Sequence, residues 1–264
     1  MSLAILPSEA WLPENMMTID VGNRHTWSKL ILLAGIAAFV VTVFWPSFES
    51  IAALWDTSDH RHGMLVLPIS AFLIWRLRDE LTSVPVSVDW RGLLLVFPLV
   101  LAWIAARLAG IQVVEHFVAL ALIPATILTF VGWSITSKLL FPLGFLLFAI
   151  PISDALVPYL MVVTADLSTA LLELSGLPVY RDGQYISLPG GEFVVADVCS
   201  GVRYLVTGVM VAALYGYLTY ESLSRRLVLV AVTGVTLILA NGVRAYIVMA
   251  VASMSNMQYL SLIH

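Results

Sequence analysis

The chain has one cysteine, and charged residues make up only 11% of its 264 positions. A lone thiol closes no disulfide within the chain, which excludes a disulfide-stapled secreted module. The shortage of charge excludes more, because a soluble chain carries roughly a quarter charged residues to keep its surface hydrated. The formal net charge is −4, so there is no basic excess with which to hold nucleic acid. Several catalytic signatures are also missing. There is no Gly-rich phosphate loop, no His-Glu-x-x-His helix and no Gly-x-Ser-x-Gly elbow, which removes the usual ATPase, zincin and hydrolase readings.

What is present is hydrophobic: 60% of the residues, with a mean hydropathy of +0.96. Most of such a surface must face lipid. A helix needs about 20 apolar residues to cover a hydrocarbon core about 30 Å thick. Seven runs meet or approach that length, at about residues 29–48, 63–76, 92–108, 112–132, 138–152, 200–219 and 227–251. The expected fold is therefore an all-α polytopic membrane protein of about seven spans. Residues 1–28 form a polar N-terminal cytoplasmic tail, and 29–264 form one transmembrane domain without repeats.

Short loops rich in Lys and Arg stay cytoplasmic. With the N-terminus inside, Arg24, Lys29, Arg76, Arg78, Arg91, Lys138, Arg225 and Arg226 fall inside. Arg61, Arg107, Arg181, Arg203 and Arg244 are left for the outside, and the last two lie within spans. This pattern holds only if residues 154–176 do not cross. Asp154, Asp166 and Glu173 interrupt that stretch at helical spacing, so it is expected as an amphipathic helix at the outer interface. If it crossed, Arg225 and Arg226 would move outside. Residues 178–198 alone have strand character. Asp182-Gly183 and Pro189-Gly190-Gly191 punctuate short runs, the pattern of a small hairpin or meander.

Cys199 stands where this β-like segment meets the next span, in Ala196-Asp-Val-Cys-Ser-Gly-Val-Arg203. Unpaired N–H groups and the helix dipole favour negative charge at a helix N-terminus, which makes a thiol there a better nucleophile. The alternative is a small packing residue. Arg244 lies inside the last run. The 17 residues from Leu227 carry it about 25 Å along the helix, to the outer depth expected for Cys199. A guanidinium within a span either faces a protein interior or wet cavity, or snorkels to the interface. Asn241, one turn earlier on the same face, favours a lined site. Arg203, one turn after Cys199, can support the thiolate, hold a substrate carboxylate or anchor the helix at the interface. His264 follows the last span and can exchange protons with a thiol. The cluster Asp59-His60-Arg61-His62 has no matching ligand set elsewhere and is not read as a metal site.

Cys199-Ser-Gly-Val-Arg203, Ala240-Asn-Gly-Val-Arg244 and His62-Gly-Met-Leu-Val-Leu-Pro-Ile-Ser70 with Trp75-Arg76 together resemble the exosortase family and the related archaeosortases. The resemblance runs from about residue 55 onward and includes Val179-Tyr-Arg-Asp-Gly183 and Leu188-Pro-Gly-Gly191. It implies a cysteine protease and transpeptidase in a bacterial inner membrane. Such an enzyme would cleave exported proteins that carry a C-terminal, PEP-CTERM-like sorting signal, through a thioacyl intermediate at the periplasmic face. Cys199 matches the family's nucleophile and Arg244 its essential arginine. The family's third residue is a histidine near the start of a final helix, usually with Gly-Trp shortly after; His264 is its counterpart here, and the sequence carries no such helix or Gly-Trp beyond it. Arg203 and Asn241 are expected to bind substrate. No metal, nucleotide or other cofactor is implied; the partners are the exported substrates and membrane lipid, not nucleic acid. Two rival readings are a small anion transporter or channel, and a non-catalytic assembly factor for surface-polymer export.

Overall fold

The computed structural model describes residues 21–56, 60–151 and 155–254. Helix α1 (Val21–Val43) is followed by α2 (Trp45–Leu54), and the axis turns by 91° between them. Pro46 in the first turn of α2 has no N–H to continue the ladder from α1, which allows the break. Helices α3 (Gly63–Arg76) and α4 (Arg78–Thr82) lead to a tight hairpin of α5 (Trp90–Ala109) and α6 (Gln112–Val131). The Asp89 carboxylate caps α5 by accepting from the Arg91 N–H at 3.0 Å, and Gly110 ends it in the left-handed conformation. Short helices α7 (Trp133–Thr136) and α8 (Leu140–Phe145) follow, the latter continued by a 3-10 turn over Leu146–Ala149.

Helix α9 (Val157–Leu174) precedes three short strands, β1 (Tyr180–Asp182), β2 (Tyr185–Leu188) and β3 (Gly191–Val194). They pair antiparallel in the order β1-β2-β3, the meander expected from the turn residues. A 3-10 turn over Asp197–Cys199 then leads into α10 (Val202–Thr219) and the 32-residue α11 (Leu223–Met254). At 1.5 Å per residue α11 is about 48 Å long, more than a hydrocarbon core, so one end must project beyond it.

Among the described residues five helices are long and apolar enough to cross a membrane, α5, α6, α9, α10 and α11, and the count is six if the bent α1–α2 pair is one span. The all-α polytopic fold is as expected, and the count of seven resolves differently. The run at 63–76 forms a helix of only 14 residues, and the run at 138–152 is divided between α8 and its 3-10 extension. Conversely α9, expected at the interface, has the length and hydropathy of a span.

The packing explains how both can hold. Phe141 stacks on Tyr217 near the end of α10, at 3.9 Å between ring centroids. Leu147, Ile150 and Leu156 face Leu205, Val206 and Val209, near its start, across an apolar cavity of about 370 Å³. From there Thr164 meets Asn241, Leu167 lies against Gly242, and Ser175 meets Tyr246. Helices α8 and α9 thus advance in one direction along the α10–α11 hairpin, as a single interrupted path.

Basic residues collect at the end where this path begins. The Lys29 ammonium donates to the carbonyls of Leu81, Thr82 and Val84 at 2.7, 2.9 and 2.6 Å. Lys138 pairs with Glu80 at 3.3 Å, and Arg226 lies over the Tyr217 ring. The sheet is at the opposite end, where Gly190 packs on Ser253. It covers an apolar cluster of Met161, Ala165, Leu172, Ile186, Leu188, Val195, Met249 and Ala250.

Candidate active site

Cys199 packs against that cluster, half-buried, and its thiol is free. Its backbone is fully engaged. The N–H donates to the Ala196 carbonyl at 2.8 Å, which forms the 3-10 turn, and the carbonyl accepts from Asn241 Nδ2 at 2.9 Å. Ser200 N–H closes the next turn on Asp197. Gly201 then reverses the chain into α10 with φ +76°, in the left-handed region that only glycine enters at little cost. Bare backbone is needed there for a second reason: a Cβ would stand 2.5 Å from Asn241 Cγ. The glycine of one motif therefore makes room for the asparagine of the other.

Asn241 is only 7% exposed. Besides holding the Cys199 carbonyl, its Nδ2 donates to Thr164 Oγ1 of α9 at 2.9 Å, while its Oδ1 is buried with no hydrogen-bond partner. Arg244 lies one turn further along α11 and is exposed, its guanidinium 5.5 Å from the centre of the Tyr204 ring. Tyr204 belongs to the first turn of α10, two residues beyond its start. The end of α10 that carries Cys199 and the face of α11 that carries Arg244 are thus brought together. Arg244 has no carboxylate partner among the described residues.

Of the residues expected to act, Cys199, Asn241, Arg203 and Arg244 gather at this junction of α10 and α11. Arg203 is exposed on α10 beside Tyr204. His264 lies outside the described residues. His60 and His62 stand with ring centroids 6.4 Å apart, and Asp59 lies outside the described residues. Among the described residues no group of three or more His, Cys, Asp or Glu side chains could hold a metal. Two residues in contact with Arg244 or Asn241 were missed by sequence reasoning. Tyr204 follows Arg203 without any motif to mark it. Thr164 sits among Val162, Val163 and Ala165, where a hydroxyl in an apolar helix carries no signal of its own.

Among comparisons with known proteins, the family model described as transmembrane exosortase (Exosortase_EpsH) matches residues 54–264. No curated protein and no solved structure matches.

Proposed function

Because its match covers most of the sequence, the chain belongs to the transmembrane exosortase family, and on that premise we propose that it is a membrane-embedded cysteine protease and transpeptidase. The family acts on exported proteins with C-terminal sorting signals. The supporting observation is the setting of Cys199. The only thiol in the chain is presented at the start of a membrane helix, its backbone fixed by an asparagine that lies one turn from Arg244.

In this reading the Cys199 thiolate attacks the scissile carbonyl of a PEP-CTERM-like signal. A carbon–sulfur bond forms and the carbonyl oxygen takes the negative charge. Arg244 donates to that oxygen, a role that elsewhere contributes about 2.7–4 kcal/mol per donor. Tyr204 lies beside the guanidinium and limits its sweep. As the tetrahedral centre collapses the carbon–nitrogen bond breaks, and the leaving amine takes a proton from His264. A thioester on Cys199 remains. An incoming amine, or water, loses its proton to His264, attacks the thioester and restores the thiol. Arg203, exposed at the same helix start, holds a carboxylate of the substrate. The site opens to the periplasmic side of a bacterial inner membrane, opposite the end that holds Lys29, Lys138 and Arg226.

Co-expression of candidate sorting-signal proteins with wild type, Cys199→Ala and Arg244→Ala tests this reading. Both variants are expected to accumulate at wild-type abundance and to leave the substrate at its precursor mass. Arg244 has no acidic partner among the described residues, which also favours an anion-transport reading; that alternative requires Cys199→Ala to remain functional while Arg244→Ala fails.

A further inference from the structure

A threonine within an apolar helix can spend its hydroxyl locally, on the carbonyl four residues back. Thr42, Thr126, Thr129 and Thr136 do so, bonding Ala38, Leu122, Ala125 and Gly132. Thr164 does not. It is 3% exposed, and its Oγ1 is bonded across to α11, accepting from Asn241 Nδ2 at 2.9 Å. The second proton of the same amide goes to the Cys199 carbonyl, also at 2.9 Å.

The orientation of that amide is fixed by chemistry. A carbonyl only accepts, so the nitrogen of Asn241 must face Cys199, which leaves Oδ1 buried and unpaired against Gly201. A buried acceptor without a donor is unfavourable. It is retained here because turning the amide over would release the cysteine carbonyl. With both amide protons committed, Asn241 has no donor left for a substrate. What it keeps is Oδ1, an acceptor.

We propose that Thr164 and Asn241 are positioning residues. They form a relay from α9 through α11 that sets the Cys199 peptide plane, and with it the direction in which the thiol meets the scissile carbonyl. The packing supports the relay on both sides. Leu167, one turn beyond Thr164, lies where a Cβ on Gly242 would be 2.7 Å away, so α9 approaches α11 at a position without a side chain. Helix α9 thereby has a task in the reaction through Thr164.

The inference rests on Cys199 being the nucleophile, and the test separates the two. Detergent-purified wild type, Cys199→Ala, Thr164→Val and Thr164→Ser are assayed on a reporter protein whose C-terminal sorting signal the wild type processes. Valine keeps the shape of threonine and removes the hydroxyl. Thr164→Val is expected to lower kcat by about ten- to a hundredfold, as misplacement of a reacting group does, with KM within about twofold of wild type. Thr164→Ser is expected to restore kcat. Without any turnover, amide hydrogen exchange over residues 197–201 is expected to quicken in Thr164→Val and to stay at the wild-type rate in Thr164→Ser. Should the valine variant not be recovered as monodisperse protein, Thr164→Ala takes its place. A rise in KM alone, an unchanged kcat, or a serine variant as impaired as the valine one would overturn the proposal. Processing by Cys199→Ala would instead overturn the nucleophile, whatever the Thr164 variants do.

Discussion

Gly201 is the position at which the cysteine and arginine motifs depend on one another most directly. Its φ of +76° costs a residue with a Cβ about 1–2 kcal/mol, and the added carbon would also strike the Asn241 amide 2.5 Å away. Gly201→Ala is therefore expected to push Asn241 off the Cys199 carbonyl. Processing of a sorting-signal substrate should fall at least about tenfold, a loss equivalent to ~1.4 kcal/mol of barrier, while the protein still accumulates in the membrane. Immunoblots of precursor and product, with enzyme abundance measured beside them, check this. At this scale the sequence was informative where two motifs shared a spacing. Cys199, Gly201, Asn241 and Arg244 stood out because a thiol, a flexible turn, an amide and a cation recur at one depth in adjacent spans. Thr164 and Tyr204 did not, since a hydroxyl or an aromatic ring in a membrane helix is common and acquires meaning only from what another helix places beside it.

The bent α1–α2 pair shows how elements are held. Ser47 is fully buried and accepts from Trp103 Nε1 of α5 at 2.9 Å, while its own hydroxyl donates to Glu115 of α6. The same carboxylate takes Arg107 at 3.4 Å, and Ser50 meets His116 at 3.0 Å. These bonds pin α2 across the adjoining ends of α5 and α6 after the 91° turn. Ser47→Ala strands the Trp103 N–H and one bond of Glu115. A cost of about 1–3 kcal/mol is expected, read as a lower thermal unfolding midpoint in detergent. The bend itself was hidden in the sequence because residues 29–48 read as one apolar run, with Pro46 the only mark of a break. The role of α9 was obscured for a related reason. Asp166 and Glu173 give the stretch an amphipathic look, yet Asp166 is exposed and pairs with Arg181, which lets the remaining face pack on α11. An acidic residue at a helix surface marks where its partner loop lies as readily as it marks a membrane boundary.

Across the whole molecule, Lys29, Lys138 and Arg226 lie at the end opposite the proposed site. They sit where α8 begins, and the meander, Cys199 and Arg244 sit at the other end. The shared end of Lys29, Lys138 and Arg226 was legible because it depends only on loop charges. That α8 and α9 follow one another along the α10–α11 hairpin was not legible, since it depends on contacts far along the chain. This arrangement expects the single thiol to react in intact cells with a membrane-impermeant maleimide added from outside; labelling only after the membrane is opened would reverse the orientation. The most direct measurement is the intact mass of the enzyme quenched during turnover of a sorting-signal substrate. A hydroxylamine-sensitive increase equal to the substrate fragment, localised to Cys199 and absent from Cys199→Ala, is the expected result. Product formation by the Cys199→Ala protein, with no such adduct on the wild type, would contradict the account.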